Sequence, residues 1–154
     1  MKKSIIAVAF ATVATLSAAN AFAAAGTVNF TGEILDAACD VSVASQNQTV
    51  ALGSYNKSEF TAAGDVTAAK KFTIVLQNCP VAVTSAHVRF DGTPETTDST
   101  LLAIDSSVAG AATNVAINLM TADKAQLPLH GDTAYRYPLV STADNNLDFY
   151  AQYK

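Results

Sequence analysis

The sequence predicts an all-β protein, a β-sandwich closed by one disulfide, and three observations carry that prediction. Apolar residues recur at every second position in short runs separated by turn-forming residues. Two cysteines, Cys39 and Cys79, stand in a chain whose first residues read as an export signal. Helical periodicity never lasts beyond a turn or two.

Lys2 and Lys3 form a positive n-region, residues 5–16 an apolar run, and Ala21, Phe22 and Ala23 a small-x-small cleavage site. Residues 1–23 are therefore expected to be a signal peptide, with export of the remainder in soluble form. The apolar run falls short of the ~20 residues that span a bilayer, so no transmembrane segment is expected. Removing Lys2 and Lys3 from nine basic residues, against thirteen acidic ones, moves the formal net charge of −4 two units further negative. That balance argues against nucleic acid or an anionic membrane surface as a partner.

Behind the leader, residues 26–34 read GTVNFTGEI and place Val28, Phe30, Gly32 and Ile34 on one face of an extended strand, with Thr27, Asn29, Thr31 and Glu33 on the other. Two readings fit: a strand made for insertion elsewhere, or the first strand of the chain's own sandwich. Cys39 and Cys79, alone in an exported chain, read as a structural disulfide rather than a metal or redox pair. Closing a loop of that length contributes about 4 kcal/mol in the chain-entropy model.

Further along, residues 49–53 (TVALG) read as a short strand, and residues 71–76 (KFTIVL) set Phe72, Ile74 and Leu76 on one face and Val75 on the other. Residues 86–90 pair Val88 with Phe90 and stop at Asp91-Gly92. Residues 114–120 (NVAINLM) alternate Val115, Ile117 and Leu119 against Ala116, Asn118 and Met120, as a half-buried strand does. Strands over 126–129, 135–140 and 147–153 follow, connected through Gly131-Asp132 and Asp144-Asn145-Asn146. A short helical turn over 58–63, capped by Ser58 and stopped by Gly64, is the one exception.

The chemical census is short. His87 and His130 belong to no metal-spacing motif, no serine sits in a nucleophile setting, and the thirteen carboxylates are scattered. No catalytic residue, metal ligand or cofactor is expected. Asp123, Asp132 and Asp144 read as turn formers.

The ordered set GTVNFTGEILDAAC, TVALG, FTIVLQNC and ATNVAINLMTADKAQLPLHG resembles the type 1 fimbrial subunits of the chaperone–usher pathway, from about Gly26 to Tyr153. The resemblance implies an incomplete immunoglobulin-like sandwich lacking its final strand, with a groove filled first by a periplasmic chaperone and then, at the outer-membrane usher, by the N-terminal extension of the next subunit. It implies a structural subunit polymerised by donor-strand exchange into a cell-surface fimbrium that supports adhesion indirectly. Val28, Phe30, Gly32 and Ile34 become the donor anchors, in a donor extension over 24–35 that runs into a pilin domain over 36–154. Burying Val28, Phe30 and Ile34 contributes on the order of 5 to 8 kcal/mol before ordering costs.

The family closes with a groove-bordering strand whose penultimate tyrosine is read by chaperone and usher. Residues 149–154 fit that strand, with Phe149 and Tyr153 as the recognition residues; they also fit the family's preceding strand, and Asp144-Asn145-Asn146-Leu147 upstream favours the second alignment. That alignment leaves the terminal strand missing, as in a truncated or non-polymerising pilin. An exported, self-contained β-sandwich binding module is the rival class, and a small secreted hydrolase a weaker one.

Overall fold

Asn145–Tyr153, the longest strand of the fold, lies at its centre. The computed structural model describes residues 38–107, 109 and 111–154. The expected signal peptide 1–23, the donor extension 24–35 and its anchors Val28, Phe30, Gly32 and Ile34 lie outside the described residues.

In chain order the strands are β1 Asp40–Val41, β2 Lys70–Gln77, β3 Ser85–Ala86, β4 Leu102–Ala103, β5 Ala116–Met120, β6 Tyr137–Pro138 and β7 Asn145–Tyr153. Five form an antiparallel sheet in the order β1-β2-β7-β5-β4, and β3 pairs with β6 in a separate two-stranded sheet. This is the all-β, incomplete immunoglobulin-like sandwich, with Cys39 and Cys79 joined in its disulfide.

Register explains the core. Phe72 lies opposite Phe149 and Ile74 opposite Leu147, while Leu119 faces Ala151 and Ile117 faces Tyr153 on the other flank. Side chains alternate across a strand, so all eight share one face of the sheet. Phe149 is 0 % exposed and Leu147 2 %. Around Phe149, Phe72 stacks at 5.4 Å, Phe90 meets it edge-on at 5.2 Å and Tyr137 tilts against it at 5.0 Å. The opposite face is polar between β2 and β7: Lys71 Nζ lies 2.8 Å from Asp148 Oδ2, and Thr73 Oγ1 donates to Asp148 Oδ1 at 2.7 Å.

Several expected strands are shorter than their alternation suggests, each for a local reason. Residues 49–53 join no ladder and end at Gly53, whose φ is +96°. Asn114, at φ +60°, turns the chain, so β5 starts only at Ala116, and both faces of that strand are buried rather than one. Pro128 and Pro138 lack an N–H, which limits 126–129 to a single bridge from Gln126 to Met120 and β6 to two residues. Residues 87–90 leave the ladder after β3, although Val88 and Phe90 still pack on the core.

The helical turn expected over 58–63 is a 3-10 turn at Lys57–Glu59, capped by Asn56 rather than Ser58. Asn56 N–H donates to Glu59 Oε1 at 2.8 Å, and Glu59 N–H to Asn56 O at 3.0 Å. A four-residue helix, α1 Val43–Gln46, was not legible in the alternation; Ser45 Oγ accepts from Val75 N–H at 3.0 Å and ties it to β2.

Two outcomes follow. Phe149→Ala should cost about 3 to 5 kcal/mol, read from the shift of the urea unfolding midpoint. Burial pushes the Tyr137 phenol up to about 12. A raised folded-state value means that the stability it contributes is complete below the ordinary tyrosine value and is lost as pH rises through about 12. Tyr137→Phe should flatten that alkaline loss, measured by near-UV circular dichroism against pH.

Candidate functional site, an open apolar trough

The central sheet presents an apolar face that its second layer covers only in part. Phe149 and Leu147 are sealed, yet their cross-strand partners Phe72 and Ile74 and the neighbouring Ile117 remain half-exposed. With Leu102, Phe90 and Leu52 they line a cleft of about 350 Å³. A wider opening of about 910 Å³, with more polar groups, is lined by Tyr55, Phe60, Val115 and Tyr153 among others. The two share β7: Ala151 lines the first and Tyr153 the second, with Ile117 of β5 and Val115 just before it beside them. They lie at successive positions along β7, and the apolar cleft is the trough.

Its walls are set by local chemistry. Leu102 is held by a turn whose backbone closes through Glu95 N–H to Leu101 O at 2.9 Å and Ala103 N–H to Thr93 O at 2.8 Å. Within that turn Glu95 Oε2 accepts from Thr97 Oγ1, Thr97 N–H and Asp98 N–H. The Thr97 hydroxyl first, then the Asp98 and Thr97 amides, hold the Glu95 carboxyl down to about 2. Gly92 closes the same corner: a Cβ there would lie 2.5 Å from Leu102 Cδ1, and its carbonyl sits 2.8 Å from His130 Nε2.

The structure brings Cys39 and Cys79 together, Cα to Cα 4.2 Å, pinning the end of β2 next to β1. It does not put Phe149 and Tyr153 on a free edge. β7 is hydrogen-bonded to β2 on one side and β5 on the other, and at Tyr153 the backbone N–H donates to Thr67 Oγ1 at 3.1 Å while the carbonyl accepts from Thr67 N–H at 3.0 Å. Of the two alignments weighed for 149–154, the doubly paired strand is the arrangement of the second, favoured one, because a groove-bordering strand needs one edge unbonded. Phe149 is buried in the core, whereas Tyr153 is half-buried and lines the wider opening. The trough walls, Leu52, Ile74 and Ile117 above all, were visible only as alternating residues; nothing in the sequence marks them as uncovered.

Reactive chemistry is scarce along the trough. His130 spends Nδ1 on Asp91 Oδ1, at 3.0 Å, and Nε2 on Gly92 O. Among the described residues no group of His, Cys, Asp and Glu is arranged to hold a metal, and no helix is long and apolar enough to cross a membrane. The arrangement suits the docking of an extended apolar segment.

The family model described as fimbrial protein matches residues 28–154. Long polar fimbria protein A of Salmonella typhimurium is 43 % identical over 120 residues, 77 % of this chain and 67 % of that protein. The type-1 fimbrial protein A chain of Escherichia coli K12 is 36 % identical over 160 residues, 99 % of this chain and 88 % of that protein. Among solved structures, a chain of a chaperone–usher pilus has a TM-score of 0.59 at 26 % identity, over 84 % of this chain and 80 % of that one. A type I fimbria protein of Burkholderia pseudomallei has 0.54 at 30 %, over 83 % and 82 %.

Lowering pH should loosen the Leu102 wall. Because the Glu95 carboxyl is depressed, its contribution is present above the ordinary glutamate value and lost as pH falls toward about 2. Glu95→Gln should blunt that acid response, measured by proteolysis within residues 93–103 across the range.

Proposed function

We infer that this chain, which belongs to the fimbrial protein family, is a structural subunit of a fimbria assembled through the chaperone–usher pathway by donor-strand exchange. It is not an enzyme. Its partners are the periplasmic chaperone, the outer-membrane usher and neighbouring subunits. The single observation that carries the reading is the half-exposed Phe72, Ile74 and Ile117 beside a fully sealed Phe149 in one sheet face. Water against that face costs roughly 25 cal/mol per Å² of apolar area, and an inserted strand with alternating apolar side chains removes it.

In this reading residues 1–23 direct export to the periplasm, and residues 24–35 form the extension that leaves the subunit to enter its neighbour. Val28, Phe30 and Ile34 supply the apolar anchors, and Gly32 is the anchor position that inserts no side chain. Of the two recognition residues, Tyr153 is half-buried at the wider opening and reachable by chaperone or usher, whereas Phe149 is buried in the core. The fimbria lies at the cell surface and promotes adhesion through its assembly rather than through a site on this subunit.

Two outcomes test this. Coexpression with the cognate chaperone should yield a stable complex, while the chain alone should aggregate or be degraded; a monomeric, protease-resistant chain without any partner refutes the reading. Gly32→Leu should abolish the polymer ladder seen on unheated gels while leaving the chaperone complex intact. Normal ladders from that variant would remove Gly32 from the donor set.

A further inference from the structure

We propose that His130 is a proton-operated latch on the rim of the cleft: with both ring nitrogens protonated it ties the turn at 128–131 to Asp91 and Gly92, and loss of one proton loosens that corner. The latch follows from the ring's own geometry and does not need the donor-strand reading.

Both ring nitrogens face acceptors. Nδ1 lies 3.0 Å from Asp91 Oδ1, and Nε2 lies 2.8 Å from the Gly92 carbonyl oxygen. A carboxylate and a carbonyl offer no proton, so each contact is a hydrogen bond only if the nitrogen supplies one, and a neutral imidazole carries a single N–H. Only the imidazolium satisfies both. In the neutral ring one nitrogen turns a lone pair toward an oxygen, and that contact becomes repulsive.

The backbone beneath the ring needs that hold. His130 sits at φ +56°, in the left-handed region that a residue with a side chain adopts at a cost. Gly131 N–H donates to Pro128 O at 3.0 Å and closes the turn, while His130 N–H donates to Phe90 O at 3.0 Å and joins the turn to the neighbouring segment. That segment forms part of the cleft: Phe90 and Leu102 line it, and Leu102 packs where Gly92 has no Cβ. Phe90 also meets Phe72 and Phe149 at ring distances of 6.1 and 5.2 Å. A charged His130 therefore fixes one wall of the cleft, and the wall loosens as rising pH removes a ring proton.

The neighbouring charges do not substitute for the ring. Arg89 Nε lies 3.8 Å from the same Asp91 Oδ1, but it belongs to the same segment as Asp91 and makes no bond across the corner. His87 Nδ1 and Asp132 Oδ1 span the same two segments at 3.8 Å, beyond hydrogen-bond reach. From the turn over 93–103, Glu95 is spent on the Thr97 hydroxyl and the Thr97 and Asp98 amides, and Asp98 on Thr100, with Lys154 Nζ 3.8 Å away. Glu95 releases its own wall only as pH falls toward about 2, below the range in which histidine changes charge, so the two devices act in separate pH ranges.

Protection of the His130 amide against hydrogen exchange, corrected for the intrinsic effect of pH, tests the latch in the full chain coexpressed with its chaperone, or in the chain alone if it needs none. Ring and carboxylate are both partly exposed, and screening keeps the effect small: protection should fall about three- to fivefold between about pH 5.5 and about pH 8. His130→Asn tolerates the left-handed backbone but has no ring to titrate, and should show no such fall. Asp91→Ala removes the acceptor at Nδ1, so a neutral ring protonated at Nε2 keeps the Gly92 bond and the fall should again vanish. His87→Gln should leave the fall unchanged. Equal protection of the parent at both pH values overturns the latch, as does a fall that survives in His130→Asn or Asp91→Ala or disappears in His87→Gln. If His130→Asn does not fold, Asp91→Ala decides alone. Failure to form a chaperone complex bears on the donor-strand reading and not on the latch.

Discussion

The fold depends on β7 being hydrogen-bonded along both edges. Seven residue pairs join it to β2 and four to β5, and Ala116 and Lys154 exchange backbone bonds at 2.8 and 3.0 Å to carry the second ladder one residue further. A strand so placed has no freedom to shift register, since a one-residue slip would turn Leu147, Phe149 and Ala151 outward and Asp148 and Gln152 inward. Phe149 can then serve as the fixed point about which Phe72, Phe90 and Tyr137 arrange themselves.

That rigidity makes the sheet's two faces unequal. The outer side between β2 and β7 is finished: Asp148 sits between Lys71 and Thr73, with Lys71 the larger influence holding its carboxyl below the usual carboxylate range. The inner side is finished only where β3, β6 and Phe90 reach. One complete face and one incomplete face are what assembly by strand insertion requires, since the inserted strand supplies the cover the second face lacks.

Much of this was legible from residues alone. Alternation identified β2, β5 and β7 because each packs an apolar face, and the paired cysteines were read correctly from their export context. The ladders at 49–53, 87–90 and 126–129 were overestimated, since alternation reports which side chains are buried and not whether a neighbouring backbone is present to bond. Val50, Leu52, Val88 and Phe90 pack or line the cleft without belonging to a strand. The position of β7 was legible only from its upstream context, Asp144-Asn145-Asn146-Leu147, because Phe149 and Tyr153 alternate identically in an edge strand and in a middle one. α1 escaped because four residues are too few to show a helical period.

Asn145 draws a consequence of its own. Its carboxamide accepts from Val140 N–H at 2.7 Å and donates to Val140 O at 2.8 Å and Ala143 O at 3.1 Å, imitating a peptide group at the corner that leads into β7. The same amide nitrogen lies 3.4 Å from Cys79 Sγ. The bend therefore owes its geometry to one side chain and to main-chain atoms, and makes no demand on the identities of Ser141, Thr142 and Ala143. A surface corner built this way is free to diversify in sequence, presenting a changing face to the outside while the barrier of bonds behind it stays constant.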